Sequence, residues 1–482
     1  MNLPHDPETP PGSVIDGFRL EERLHRGGMA DLWRATRVEP TGDPARDAMP
    51  LILKQPLVRS TDEPAGIVGH EVECMILPML SGPHVPAFVA RGDYTRQPYL
   101  VMERIPGDSL KPRLAAAPLA PEEVADLGRR IAIALHDLHR QHVVHLDVKP
   151  SNVMFRPDGR AVLVDFGLSR HDHLPDLLDE DLAVPVGTGP YMSPEQLRFI
   201  RNDPRSDLFA LGVMLYHLAT GHRPFGAPTT VRGLRRRLYS DPVPPRVLQP
   251  ATPPWLQELI LRCLEVDPAE RHQSAAQLAL DLATPDQVAL TERAARQARG
   301  PLRQRAKRWW RSMARPEPQA DVGAQLLRSP IIVAAVDIDH PEPELLHAVR
   351  EQARRALSTE PGARLAVMCV LRGGAITMDD RGEGGRSRHV QQLVSLKHWA
   401  RPILKALQVD DKRVTCHVIE APDAAQAIID FARRCQADHI VMGARASSAM
   451  RRYLGSVSSQ VVAQAPCSVT VVRRPVAPDA LP

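Results

Sequence analysis

The sequence predicts two folded units in series: an α+β unit over residues 14–283, then an α/β unit with a doubly wound parallel sheet over residues 329–476. Three observations predict this. The chain has 482 residues, more than a single hydrophobic core commonly organises. The patterned sequence is interrupted from Arg293 to Arg315 by a stretch with nine Lys/Arg and no Asp or Glu. Beyond it, five short apolar, β-branched runs alternate with helical stretches, which is the pattern of βα units.

Residues 1–13, MNLPHDPETPPGS, are Pro-rich and polar and read as disordered; they show neither the basic start nor the apolar stretch of a signal peptide. The first patterned unit runs from Val14. Its β-type run DGFRLEERL leads into Gly27 and Gly28, and DLWRA follows as a second run. A glycine turn between strands can lay backbone N–H groups over phosphates, although Gly-Gly turns are also ordinary in hairpins. Lys54 closes the apolar run LILK, as a snorkelling edge lysine also would. Glu73 lies on a helix with apolar periodicity (Val68, Val72, Met75, Ile76, Leu80), a position equally suited to an exposed salt bridge.

The second half of this unit is more specific. His145-Leu146-Asp147-Val148-Lys149-Pro150-Ser151-Asn152 is followed thirteen residues after Asn152 by Asp165-Phe166-Gly167, the two pieces being apolar strands joined by the turn RPDG. Each polar residue has a chemical task in phosphoryl transfer. Asp147 can orient a substrate hydroxyl and accept its proton, Lys149 can neutralise a γ-phosphate, and Asn152 with Asp165 can hold Mg²⁺.

On these residues the chain resembles the protein kinases in their bacterial, eukaryotic-like serine/threonine form, over roughly Val14 to Leu282. The resemblance implies a bilobal protein-kinase fold, with ATP and Mg²⁺ used to phosphorylate protein Ser/Thr hydroxyls. It implies that Lys54 binds the α/β-phosphates and pairs with Glu73, Glu71 being the runner-up. Gly27 and Gly28 would cover the nucleotide. Met102 would be the gatekeeper and Glu103 to Ile105 the hinge that hydrogen-bonds adenine. Gly187 to Glu195 (GTGPYMSPE) matches the end of an activation segment. Asp207, opening the apolar helix SDLFALGVMLYHLATG, would brace the catalytic loop, and Arg271 would pair with Glu195.

Three departures stand out. His25 and Ala30 replace the outer glycines of the glycine loop, Pro78 should kink or end the last turn of the helix carrying Glu73, and Leu146 replaces the arginine that in the family grips an activation-loop phosphate. Between Gly167 and Gly187 the one hydroxyl residue is Ser169, whereas the acids are Asp172, Asp176, Asp179, Glu180 and Asp181. Loop phosphorylation is therefore not the expected switch. Because the glycine loop is altered, a pseudokinase scaffold that binds nucleotide without phosphoryl transfer is the alternative reading.

The basic stretch, with Trp309 and Trp310, reads as part of a linker over residues 284–328. After it, IIVAAVDI, RLAVMCVL, VTCHVIEA, HIVMGA and SVTVV are the five strands, and Arg372 to Arg388 reads as a loop. Such sheets bind ligands beyond the strand C-termini at the switch point. Asp337, Val370, Gly443, Gly455, Ser456 and Val457 fall there. The segment Ile331 to Arg474 resembles a universal stress protein domain, most closely through RRYLGSVSSQVVAQAPCSVTVVR. ATP-binding members carry G-x2-G-x9-G-[ST]; here Gly443 and Gly455-Ser456 match, while Ala446 replaces the second glycine and the spacer is eight residues. The resemblance implies an adenine nucleotide at this domain, with a regulatory or docking role. Residues 477–482 form a tail.

Composition excludes other classes. The chain is 43% hydrophobic and 24% charged, with a mean hydropathy of −0.25. No apolar run reaches the ~18 residues of a membrane span. The six cysteines are scattered without a CxxC pair, which fits a reducing, cytoplasmic compartment and argues against disulfides or zinc. A net charge of +4 gives no warrant for nucleic acid. Expected partners are protein substrates and an adenine nucleotide, with a second copy of the chain among those the sequence allows.

Overall fold

The computed structural model describes residues 10–26, 30–57, 64–92, 97–178, 185–228, 230–298, 322–327, 329–360, 362–371, 383–408, 413–444 and 455–473. The glycine turn, Trp309, Trp310 and Ala446 lie outside these. Two compact units emerge, one of residues 1–275 and 291–323, the other of residues 276–290 and 324–482.

The first unit opens with an antiparallel sheet of β1 (Val14–Ile15), β2 (Phe18–Arg26), β3 (Ala30–Arg37), β4 (Leu51–Pro56), β5 (Phe88–Gly92) and β6 (Tyr99–Glu103), ordered β1-β2-β3-β4-β6-β5. Alternation along the strands builds one apolar face. Phe18 and Leu20, Trp33 and Ala35, Leu51 and Leu53, and Tyr99 and Val101 are two apart and share a buried cluster. Each of the leucines, Phe18 and Val101 contributes about 1.5–3 kcal/mol by leaving water. The helix α1 (Pro64–Ile76) ends where Pro78 enters a 3-10 turn, Leu77–Met79, since proline lacks the N–H that would continue the α ladder.

The rest of this unit is helical: α2 (Pro121–His139), α3 (Arg205–Thr220) and α4 (Pro254–Cys263), with two small pairings. Strand β7 (Val143–Val144) pairs with β10 (Arg170–His171), and β8 (Val153–Phe155) pairs with β9 (Ala161–Leu163). As expected from its composition, α3 is buried along nearly all of its length.

Part of the expected linker is packed. Arg293 bonds Glu258 (3.4 Å) and Glu265 (2.9 Å), and the neighbouring Ala294 is buried. The basic composition that suggested a linker is here, in part, the positive partner of carboxylates on and after α4.

In the second unit, β11 (Ile331–Ala335), β12 (Arg364–Leu371), β13 (Val414–Glu420), β14 (His439–Gly443) and β15 (Ser468–Val472) form a parallel sheet of order β13-β12-β11-β14-β15. Residues facing opposite ways along each strand feed two cores. Ile332, Ala334, Leu365 and Val367 meet α6 (Pro343–Thr359) and α7 (Glu383–Leu407). Ile331, Val333, Ala366 and Met368 meet α8 (Ala424–Arg434) and α9 (Ser456–Gln464). The helix α7 begins at Glu383, inside the stretch read as loop, because its glycine-rich start gives no helical signal in sequence.

The second core also contains Ala276 and Leu280, from the helix α5 (Ala275–Ala283). Gln277 Nε2 donates to Ser329 O (3.2 Å) and Gly362 O (2.9 Å), and Arg364 pairs with Asp281 at 2.6 Å, both nearly buried. The compact units thus divide at residue 275/276, ahead of the boundary at 283/284 that composition suggests.

Candidate functional site

Antiparallel pairing fixes Lys54 opposite Leu32 and Leu100 in the centre of the first sheet. Its ammonium reaches Glu73 Oε2 at 2.6 Å and Asp165 Oδ1 at 2.7 Å. Glu73 is fully buried and its second oxygen accepts from Phe166 N at 3.1 Å, whereas Glu71 is exposed. One carboxylate on α1 therefore holds both the lysine and the backbone after Asp165. Burial opposes the charge on Lys54, but Glu73 and Asp165 outweigh it and hold the ammonium well above its ordinary range. Lys54 in turn holds the Asp165 carboxyl down at about 2, against the opposing effect of burial. Both groups are charged throughout the neutral range.

Close approach makes this pairing possible. A β-carbon on Gly69 would lie 3.3 Å from Gly167 O, and one on Gly167 would lie 3.1 Å from Gly69 O. Gly69 sits one helical turn before Glu73, so the missing side chain lets α1 come close enough for Glu73 to reach Lys54. The available signal for Gly69 was a glycine in a helical pattern at i−4 from the glutamate, which Gly66 in the same helix does not share.

The loop between β7 and β8 carries the second constellation. Asp147 Oδ1 accepts from Thr188 Oγ1 (2.7 Å) and Thr188 N (3.0 Å), and Oδ2 meets Lys149 Nζ at 2.5 Å. Asn152 Nδ2 donates to Asp147 O at 3.0 Å, so the amide oxygen at its other end is oriented by this bond. Val164 N donates to Asn152 O at 3.0 Å, which sets Asn152 beside the strand leading to Asp165. Both Leu146 (φ 62) and Asp165 (φ 69) take the left-handed conformation, turning the chain sharply at each side of the site. Asp207 braces the loop as expected: its carboxylate accepts from His145 N and Leu146 N, each at 2.9 Å, and contacts His139 Nε2 at 2.9 Å. Glu195 and Arg271 form a buried two-pronged pair at 2.8 and 3.0 Å.

At the end of β6, Met102 and Ile105 are buried. Glu103 N donates to Ala87 O at 2.8 Å, which narrows the expected adenine contact to the remaining hinge groups, Ile105 among them. The Glu103 side chain is gripped by Arg156.

Sequence reasoning missed two positioning residues. Gln196 Nε2 donates to Leu146 O (2.7 Å) and Val186 O (3.3 Å) while its oxygen accepts from Ser193 N (2.9 Å). Arg237 is 1% exposed and donates to Gly189 O at 2.8 Å and to Met192 O; burial lowers its guanidinium to about 10. Each binds backbone carbonyls, which leave no trace in residue type.

In the second unit, Asp337, Val370, Gly443, Gly455, Ser456 and Val457 all line one cavity of about 260 Å³. It lies past the C-terminal ends of β11, β12 and β14. Its inner wall is apolar, with Met368, Met442, Leu345 and Ile428. A β-carbon on Gly443 would lie 3.0 Å from Leu345, so a side chain there would crowd the wall. Cys369 also lines it, and burial pushes that thiol up to about 12.

A lysine shared by two acids, together with a third acid held by lysine, asparagine and threonine, is the arrangement of a phosphoryl-transfer site of the protein-kinase class. Residues 58–281 match the protein kinase domain family, and residues 330–473 match the universal stress protein family. Serine/threonine-protein kinase PknL from Mycobacterium bovis and its counterpart from Mycobacterium tuberculosis are each 30% identical over 315 residues, 65% of this chain and 76% of theirs. Serine/threonine-protein kinase PknB from Mycolicibacterium smegmatis is 30% identical over 281 residues, 57% of this chain and 44% of its own. The chain belongs to the serine/threonine protein kinase family and is an ATP-dependent enzyme of that kind, with a universal stress protein domain toward its C-terminus. Among the described residues, no helix is long and apolar enough to cross a membrane.

Proposed function

We propose that this kinase transfers the ATP γ-phosphate through Asp147, Lys149, Asn152 and Asp165, and that its stress-protein domain binds an adenine nucleotide and regulates or docks. The observation that carries the first part is the double contact of Lys54 with Glu73 and Asp165, made while Asp147 is held by Lys149, Asn152 and Thr188. Lys54 binds the α/β-phosphates, and Glu73 keeps it extended toward them. The Ile105 backbone meets adenine. Asp147 orients the acceptor hydroxyl and takes its proton, while Lys149 holds the γ-phosphate.

Mg²⁺ fits Asn152 and Asp165, since Asp165 is ionised throughout the neutral range and the Asn152 side chain, on the segment bonded to Val164, carries an amide oxygen that can serve as a ligand. When bound, it neutralises charge building on the phosphates. Labelled ATP with Mg²⁺ should give phosphoserine and phosphothreonine on the protein itself or on a basic test protein. An Asp165→Asn enzyme that labels at the wild-type rate would overturn the assignment.

The convergence of six expected residues on one cavity supports the second part. An apolar slot for a base with Ser456 at a helix start suits a nucleotide. Calorimetry on the full chain should resolve two adenine-nucleotide sites, of which Gly455→Asp removes one and Lys54→Met weakens the other. A single site unaffected by Gly455→Asp would refute nucleotide binding in the stress-protein domain and leave docking.

A further inference from the structure

The activation segment has neither of the usual means of fixing itself through phosphorylation. Ser169, the one hydroxyl residue between Gly167 and Gly187, is 2% exposed and spends its hydroxyl on His145 O at 3.0 Å. Leu146, where the family has a phosphate-gripping arginine, is buried against Val144. The segment nevertheless carries an anion that meets arginine. Asp176 Oδ2 accepts from Arg201 Nε at 2.8 Å, and Arg170 Nε lies 4.0 Å from the same oxygen. The second arm of Arg201, Nη2, donates to Leu168 O at 3.1 Å. One guanidinium thus ties residue 176 to residue 168, immediately after the Asp165-Phe166-Gly167 turn. The pair is largely withdrawn from water, the side chains of Arg201 and Asp176 being 9% and 13% exposed.

The clasp shares a cleft with the helix that carries Glu73. Leu174, Pro175 and Asp176 line a narrow cleft with Val72, Met75 and Ile76, the residues of α1 on either side of Glu73. Fixing the segment at Asp176 therefore fixes the wall that faces α1, the helix carrying Glu73, across this cleft.

We propose that Asp176 is a built-in anion which, through Arg201 and Arg170, sets the activation segment in its working position without a phosphate. It is a positioning residue; it touches no reacting atom. A carboxylate of fixed charge makes the segment's geometry permanent, whereas a phosphate would make it conditional on an upstream event. This inference rests on the kinase reaction, which Asp147→Asn tests separately at a residue outside the clasp.

The test uses the full chain treated with phosphatase. Wild type should start at its full rate without a lag. Asp176→Asn and Arg201→Gln should each lower kcat about 10-fold, the weight of one charge-assisted hydrogen bond between partly buried groups. The double variant should lose no more than either single one, because both remove the same pair. Asp176→Glu, which keeps the charge, should recover most of the rate. A merely structural role predicts additive losses that track the melting temperature and are not rescued by glutamate. A lag in phosphatase-treated wild type, a wild-type rate in Asp176→Asn, or additive losses would each overturn the proposal. The lag measurement needs no variant, so the proposal stays exposed even if a substitution unfolds the chain.

Discussion

The kinase cleft and the stress-protein cavity are built on opposite principles. The cleft is a network of charges: Lys54, Glu73 and Asp165 meet within 2.7 Å, and Asp147 touches Lys149 at 2.5 Å. The cavity is mainly shape, an apolar slot where parallel strands diverge, with a few polar groups at its mouth. A charge network fails when one atom changes, because each buried group depends on its partner. A cavity tolerates change until its volume is filled. Substitutions should therefore fall steeply in one region and gently in the other.

The largest expected effect is Asp147→Asn, which keeps the shape but removes the base. Its kcat should fall by about 10²–10⁴-fold, the usual worth of a positioned general base, with Mg·ATP affinity within a few-fold. Retained turnover would mean that Asp147 holds structure and takes no part in the reaction.

Arg364→Met tests whether the second unit also hides a network. The substitution leaves the Asp281 carboxylate 4% exposed without its 2.6 Å partner. Breaking such a pair costs about 3–5 kcal/mol, which should appear as a lower denaturant midpoint for the second unit. A midpoint within error of wild type would show that α5 is dispensable to that unit.

Gly69→Val should lower kcat about 10-fold, since its β-carbon meets Gly167 O at 3.3 Å and pushes α1 outward by a few tenths of an ångström, and catalytic geometry is sensitive at that scale. An unchanged rate would mean that α1 adjusts without moving Glu73.

A last effect distinguishes folding from catalysis by pH. Burial holds His70 and His417 neutral down to about 4 and His136 down to about 3, with Lys54 adding to the effect at His70 and Arg364 at His417. Unfolded histidine takes up its proton near pH 6.5, so the unfolded chain binds more protons below that value. Stability is then full above pH 6.5 and is lost as pH falls toward 4, in both units. Asp165 keeps its charge through this window, at about 2. Melting temperatures should fall between pH 6.5 and 4; a flat profile would mean that these imidazoles are hydrated.

The chemistry of the cleft could be read in sequence because phosphoryl transfer demands particular functional groups at fixed spacing, as in HLDVKPSN and DFG. The parallel sheet could be read because buried strands must be apolar and β-branched. Lys54, Glu73, Asp147, Asn152 and Asp165 were thus nameable before their distances were known, and so were the six residues around the cavity. Tertiary structure alone decided the rest. Gly69 and Gly167 touch because two backbones converge, and no residue pattern encodes a missing side chain's neighbour. Gln196 and Arg237 act on backbone carbonyls, which every residue owns alike. Asp176 was one acid among five until folding brought Arg201 to it, and α5 carried kinase-like sequence while packing into the neighbouring core. Local chemistry is written in residue type; which distant groups meet depends on how the chain closes.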